Sequence, residues 1–265
     1  MKKTIGFIGC GNMGAALARA VAKSVAGENI LLADLDAAKC GALAAELEAR
    51  VSSAEEIARE AFLIVLGVKP QVLGATLAPL KGILAERKTP LLIVSMLAGT
   101  PIDRIATHLE ADYPTVRIMP NLPAAIGEGM ILYTTKNTCP TCEGFFREAF
   151  AYAGTLDEIP EGMMDAAAAL SGCGPAFVAL FAEALADGAV ACGVPRAKAR
   201  LYAEKTILGT AAYLIQTEMH PAVLKDAVCS PGGTTIAGVE ALENGGFRAA
   251  VASAVIAAFE KTKKL

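Results

Sequence analysis

A chain of 265 residues is long enough for two ordinary domains with a substantial buried core. Lys and Arg total 24 against 27 Asp and Glu, a formal charge of -3, and no basic run tracks a nucleic-acid backbone, so nucleic acid is not expected as a partner. The hydrophobic fraction of 54% and mean hydropathy of +0.47 raise the question of a membrane. Alanine supplies much of both, and the uncharged run 166–182 is bounded by Asp165 and Glu183 and interrupted by Gly172-Cys173-Gly174-Pro175, so no spanning helix is expected. Met1-Lys2-Lys3 has the charge of a leader's start, but Gly6, Gly9, Gly11, Asn12 and Gly14 break up any apolar stretch behind it, and the reading is a cytoplasmic protein with its N-terminus intact.

Seven cysteines, scattered at 10, 40, 139, 142, 173, 192 and 229, fit reduced thiols better than a disulfide framework. Cys139-Pro140-Thr141-Cys142 is the one C-x-x-C. Without a second pair or a nearby His it reads as a loop at a helix start, and no metal site is expected.

In chain order, Thr4-Ile5-Gly6-Phe7-Ile8 predicts a short strand, followed by Gly9-Cys10-Gly11-Asn12-Met13-Gly14 and a helix over 15–26 with Leu17, Val21 and Val25 at helical spacing. A strand at 29–33 ends in Asp34. Helices over 37–50 and near 54–60 precede a third apolar run, 62–68, which ends in Lys69-Pro70. Apolar runs at 90–95 and 116–119 alternate with helical patterns at 72–86 and 101–110, and 124–134 reads as a loop and a final strand. Alternation of this kind predicts a mostly parallel sheet covered on both faces. From about Met163 the strand-like runs stop and Ala, Leu, Glu and Lys dominate, so an all-helical second domain is expected. The boundary falls near 160, giving an α/β, Rossmann-like domain over 1–160 and a helical domain over 161–265. Val194-Pro195 and His220-Pro221 mark helix starts, and Ser230-Pro231-Gly232-Gly233-Thr234-Thr235 interrupts the helical pattern.

Gly9-x-Gly11-x-x-Gly14 after a strand and opening a helix is the dinucleotide-binding fingerprint, which places Ile8, Gly9, Cys10, Gly11, Asn12, Met13 and Gly14 against a cofactor. Gly9 permits the tight turn, Gly11 lets the backbone approach a pyrophosphate, and Gly14 allows close packing of helix on sheet. Asp34, some 20 residues beyond Gly14 at the end of the second strand, suits a ribose hydroxyl and repels a 2′-phosphate. Of NADP and NAD as cofactors, it therefore favours NADH. Val68-Lys69-Pro70 and Ser95-Met96-Leu97-Ala98-Gly99 fall at the ends of later strands, facing the ligand crevice of an open sheet. Lys69 is either a phosphate or ribose ligand or a solvated charge. Arg117-Ile118-Met119-Pro120-Asn121 is either a structural turn or a wall of the site.

The set GFIGCGNMG, VKP, S-x-x-AG, R-x-MPN, SGCGPAF at 171–177 and CSPGGTT, with Gly238, Leu242-Glu243 and GGFR at 245–248, resembles the pyrroline-5-carboxylate reductase family in order over nearly the whole chain. That resemblance implies reduction of the cyclic imine 1-pyrroline-5-carboxylate to L-proline with NAD(P)H, and a helical domain that dimerises. It implies that SPGGTT binds substrate next to a nicotinamide held by the partner chain. Ser230, Gly232, Gly233 and Thr234 would present amides and a hydroxyl to the substrate carboxylate, and the Thr235 hydroxyl would meet the ring nitrogen. Glu218 matches an acid near the substrate. The family's dimers are interlaced and often assemble into rings; Met96, Ala98, Gly99 and Asn121 belong to its cofactor side.

Three positions depart from the family pattern: Cys173 stands for a usual Ser, Ala54 for an Asn that touches the adenosine, and Asp34 for a small polar residue common where NADPH is preferred. His220 beside Pro221 reads as a helix-start residue and His108 as a charge favourable at a helix C-terminus. Two rivals stand: a β-hydroxyacid dehydrogenase, and a sensor that binds NAD(P) without turnover. The first would need a Lys on the helix after Gly172, and that segment carries none.

Overall fold

The computed structural model describes residues 3–263, so the leader-like Met1 and Lys2 lie outside it. Two compact units result: one runs to Gly172 and takes in the chain from Phe259 on, and the other is Cys173–Ala258.

The first unit alternates strand and helix: β1 (Ile5–Ile8), α1 (Asn12–Val21), β2 (Ile30–Ala33), α2 (Ala37–Leu47), β3 (Arg50–Val51), α3 (Ala54–Glu60), β4 (Leu63–Leu66), α4 (Leu73–Leu77), α5 (Leu80–Ala85), β5 (Leu92–Ser95), α6 (Ile102–Leu109), β6 (Thr115–Met119), β7 (Gly129–Lys136), α7 (Pro140–Phe150), β8 (Gly154–Glu158) and α8 (Met164–Ser171). They form one sheet in the order β3-β2-β1-β4-β5-β6-β7-β8. All neighbours pair in parallel except β6 and β7. Because successive side chains of a strand point to opposite faces, Phe7, Leu32, Val65 and Val94 join α1, α2 and α7 in one core, while Ile8, Leu31, Ile64 and Ile93 join α3 to α6 in the other. Parallel strands buried on both sides read as unbroken apolar runs, and β1, β2, β4 and β5 are buried at every position.

Several expected elements differ. The helix expected over 37–50 stops at Leu47, where Glu48 turns left-handed (φ 53°), and Arg50–Val51 pairs with β2 instead. The pattern over 72–86 breaks into α4 and α5, because Pro79 has no N–H to continue the first of them. The strand expected to end at 134 runs Gly129–Lys136 and is not the last: β8 follows it. Only Gly fits at Gly154 (φ 132°), since a Cβ there would lie 2.0 Å from the Gly129 oxygen.

Between residue 160 and the end of the first compact unit at Gly172 lies α8, held to the sheet by three ties. Met164 and Ala169 are buried, the Asn121 carboxamide Nδ2 donates to the Ser171 carbonyl (2.9 Å), and buried Arg117 on β6 pairs with Asp165 (2.8 Å).

The second unit is wholly helical: α9 (Gly174–Ala191), α10 (Arg196–Thr217), α11 (Pro221–Val228), α12 (Thr234–Asn244) and most of α13 (Phe247–Thr262). Its small core is Ala186, Ala199 and Ala203. Leu201, Leu208 and Ile215, spaced seven apart on one face of α10, are 50%, 58% and 78% exposed. By length and composition the helical stretch 161–191 could cross a membrane, but a turn at 172–173 divides it into helices of 8 and 18 residues, and α9 carries Glu183 and Asp187. An apolar surface of this extent on a folded chain marks a protein interface. Leu208→Asp combined with Ile215→Asp is expected to convert a dimer to monomer by analytical ultracentrifugation. A variant that sediments like wild type would contradict this.

Candidate active site

Parallel pairing brings the carboxyl ends of five strands to one edge. Ile8 is in register with Ala33 on one side and Leu66 on the other, Leu66 with Ser95, and Ser95 with Arg117. The loops that follow therefore gather Gly9 to Gly14, Asp34, Val68-Lys69-Pro70, Met96 to Gly99 and Asn121 along the same rim. Strand order turns between β1 and β4, the switch point where an open sheet leaves its ligand crevice.

The glycines there do three different things. Gly9 (φ 101°) runs so close beneath the β4 loop that a Cβ would lie 2.6 Å from the Gly67 carbonyl carbon and oxygen. Gly14 brings α1 over this crossing, its missing Cβ only 2.3 Å from the Gly9 oxygen. Gly11 alone faces open space, with nothing within 4 Å of a Cβ. It is also the N-cap of α1, extended, without a side-chain cap and without an acid in the first turn. The first-turn amides of a ten-residue helix thus point into an uncovered cradle, which is the arrangement that receives a pyrophosphate. Gly67 was not anticipated: a Cβ there would meet Met96 Cε at 2.3 Å and the Gly9 oxygen at 2.6 Å. Its signal was a lone Gly at the end of an apolar run, directly before Val68-Lys69-Pro70.

Asp34, half-buried, locks this loop to β2. Oδ2 accepts from the Cys10 N–H (2.5 Å) and Oδ1 from the Asp36 N–H (2.9 Å), which leaves further lone pairs for a ribose hydroxyl. The Cys10 thiol is pushed up to about 12, first by burial and then by neighbouring Cys40 and Asp34, so it stays neutral beside the Gly11 cradle. Lys69 is exposed, Pro70 opens a short 3-10 turn, Ala98 is exposed, and Gly99 is left-handed (φ 62°). Ala54 begins α3 after a complete capping box of Ser53 and Glu56 and offers no polar group.

Asn121 is 8% exposed and its carboxamide is committed within the unit: Nδ2 donates to Ser171, and Oδ1 accepts from the Met130 N–H (2.9 Å). Its side chain positions the β6 loop, leaving its backbone as the part that can face a ligand. Arg117 is 2% exposed, and its guanidinium meets Glu161 (3.3 Å) and Asp165 (2.8 Å), while Glu161 Oε1 also accepts from the Ile102 N–H at the start of α6 (2.8 Å). The role of Arg117 is not legible in the sequence, because its acidic partners lie over 40 residues away, with no local pattern to reveal them.

In the second unit, SPGGTT forms a tight turn into α12. Gly232 is left-handed (φ 66°), the Gly233 N–H donates to the Ser230 carbonyl (3.0 Å), and a Cβ on Gly233 would strike Ser230 Oγ at 2.3 Å. Gly233 is the N-cap of α12, with no side-chain cap and no acid in the first turn, so the amides of Thr234 and Thr235 keep their capacity for an anion. Ser230, Thr234 and Thr235 are exposed. Glu218 ends α10 in a left-handed conformation (φ 53°), exposed. His220 caps α11, its Nδ1 accepting from the Ala222 N–H (3.2 Å), and Cys173 begins α9 without a side-chain cap bond.

A mostly parallel sheet with this cradle at its switch point, joined in one chain to a helical unit with only a small core of its own, defines an NAD(P)-binding oxidoreductase that dimerises. Residues 161–265 match the pyrroline-5-carboxylate reductase dimerisation model, and residues 4–99 match that of coenzyme F420-dependent NADP oxidoreductases. The chain is 44% identical to pyrroline-5-carboxylate reductase of Synechocystis sp., covering 100% of this chain and 99% of that one, and 39% identical to that of Escherichia coli over 100% and 99%. Among solved structures it is similar to Plasmodium falciparum pyrroline carboxylate reductase with NADP bound, at a TM-score of 0.87 and 34% identity over 100% and 98% of the two chains. The chain belongs to the pyrroline-5-carboxylate reductase family.

The glycine geometry separates two substitutions. Gly11→Ala puts its methyl into empty space, so urea denaturation should show a loss of under about 1 kcal/mol, the cost of a poorer N-cap, while cofactor affinity falls at least about tenfold as the methyl blocks the approach of phosphate. Gly9→Ala should instead destabilise the fold itself by about 2 kcal/mol or more, through positive φ and the clash with Gly67. Equal stability of the two variants would contradict this assignment.

Proposed function

We propose that this protein reduces the carbon–nitrogen double bond of 1-pyrroline-5-carboxylate to give L-proline, with the cofactor held at the Gly9–Gly14 loop of one protomer and the substrate at the SPGGTT turn of its partner. The observation that carries the reading is the uncapped start of α12: free amides for a carboxylate beside two hydroxyls, with no acid in its first turn. Reduced nicotinamide supplies the hydride when bound, and a protonated imine accepts it without a nucleophile. The chain's own work is then orientation. Gly232 and Thr234 amides with Ser230 Oγ fix the substrate carboxylate, while the Gly233 N–H, spent on the Ser230 carbonyl, holds the turn in shape, and Thr235 Oγ1 accepts from the imine N–H and holds the ring carbon toward the cofactor. Glu218 adds a negative charge that favours the protonated imine.

The exposed apolar faces of α9 and α10 support an interlaced dimer, and further association into a ring of dimers extends the same reading. The enzyme works in the cytoplasm. A β-hydroxyacid dehydrogenase needs a Lys as acid-base group on the helix after Gly172, and α9 contains none. A sensor without turnover has no use for a substrate turn.

The test is oxidation of NADH and of NADPH by the purified protein with 1-pyrroline-5-carboxylate, with proline measured as product; cofactor binding without oxidation would contradict the proposal. Thr235→Ala should lower kcat about tenfold at nearly unchanged KM, the worth of one well-placed hydrogen bond, whereas Ser230→Ala should raise KM at nearly unchanged kcat. Wild-type kcat in Thr235→Ala would remove it from the mechanism. Asp34 should make NADH the better substrate by kcat/KM, and Asp34→Ser should move the ratio toward NADPH. A wild-type protein that strongly prefers NADPH would refute the Asp34 assignment.

A further inference from the structure

The C-x-x-C, read from sequence as an ordinary helix start, has a more specific geometry in the folded chain. Cys139 is the N-cap of α7, an eleven-residue helix with Pro140 at its first position, and its Sγ accepts from the Cys142 N–H (3.3 Å). Cys139 is exposed while Cys142, 6% exposed, is packed into the core with Phe146 and Phe150. Three residues apart, at the N-cap and in the first turn of α7, the two cysteines lie on one face of the helix. The environment divides their roles. The Cys142 thiol and then the Cys142 amide hold the Cys139 thiol below the ordinary thiol value, and burial pushes Cys142 above it.

Cys10 and Cys40 provide the contrast within the same unit. They lie in one hydrophobic core, 5% and 1% exposed, and burial pushes both thiols up, so neither presents a thiolate to a reagent in solution. Cys173, Cys192 and Cys229 have no second cysteine within a helical turn. Among the described residues, only the 139–142 pair combines an accessible attacking sulfur, a helix N-terminus and a second cysteine within one helical turn.

We propose that Cys139 and Cys142 form a redox-active dithiol on α7, which exchanges with low-molecular-weight disulfides and closes to an intramolecular disulfide. In the first step the Cys139 thiolate attacks one sulfur of the disulfide, whose S–S bond breaks and expels one thiolate. Cys142, on losing its proton to solvent, then attacks Cys139 Sγ and expels the second thiolate. The protein gives up two electrons and two thiol protons, the small disulfide takes up both, and two small thiols are released. α7 lies outside the residues assigned to cofactor and substrate, so this is a modification site separate from the reduction.

The experiment uses the full-length protein incubated with glutathione disulfide, quenched by alkylation and read by peptide mass spectrometry. Wild type should lose two hydrogens across 139–142 with little glutathione retained. Cys142→Ser should accumulate glutathione on Cys139, and Cys139→Ser, which keeps an N-cap side chain, should leave position 142 unmodified. Should Cys142→Ser not fold, the wild-type rates decide: Cys139 should react at least about tenfold faster than Cys173, Cys192 or Cys229. Equal rates, or stable glutathione on wild-type Cys139 without closure to the disulfide, would overturn the proposal.

Discussion

The helical unit cannot bury its own apolar surface. With a core of Ala186, Ala199 and Ala203, and with Leu201, Leu208 and Ile215 in solvent along one face of α10, Cys173–Ala258 has helices but little to hold them together. Helices of this length owe most of their stability to packing rather than propensity. A second copy of the same face supplies that packing through a symmetric, self-complementary interface. The alanine content that raised the membrane question serves here as a set of small residues that let helices approach. Association is thus a condition of folding for this half of the chain, and the SPGGTT turn, carried between α11 and α12, depends on it.

The other half is self-sufficient, and its architecture converges on one crossing. Gly9, Gly14 and Gly67 bring three backbone segments closer than any Cβ would allow, and Asp34 holds the loop to β2 through the Cys10 amide. This tight packing aims the free start of α1 at open space over Gly11. Away from the crevice, buried Arg117 fixes Glu161 and Asp165, and so the path of the chain as it leaves the sheet. Breaking such a pair by removing one partner leaves a charge without its counter-ion, which costs more than the intact pair contributes.

Much of this was legible in the sequence because it is local. Strands buried on both faces announce themselves as runs such as Leu63-Ile64-Val65-Leu66, and the glycine fingerprint is a contiguous pattern with a mechanical reason at each position. What escaped was short or non-local. Arg50–Val51 is an exposed two-residue strand, and Gly154–Glu158 ends in acids that resemble a loop. The Pro79 break was hidden within an otherwise helical spacing. Asn121 was placed on the cofactor side, yet its carboxamide is spent on Ser171 and Met130, a commitment that only the packing of α8 reveals. The SPGGTT turn is conspicuous as a break, but the role proposed for it rests on the amides at the start of α12, which a sequence states only indirectly through the missing cap.

The central claim is that each working site needs two chains, and hybrid dimers test it most directly. One chain would carry Gly11→Glu, placing a carboxylate in the pyrophosphate cradle, and the other Ser230→Ala with Thr235→Ala; each parent dimer should be nearly inactive. If cofactor and substrate come from different protomers, the purified hybrid contains one site with every defect and one with none, and activity should return to about half that of wild type. A hybrid as inactive as its parents would mean that each site lies within a single chain, and would contradict this account.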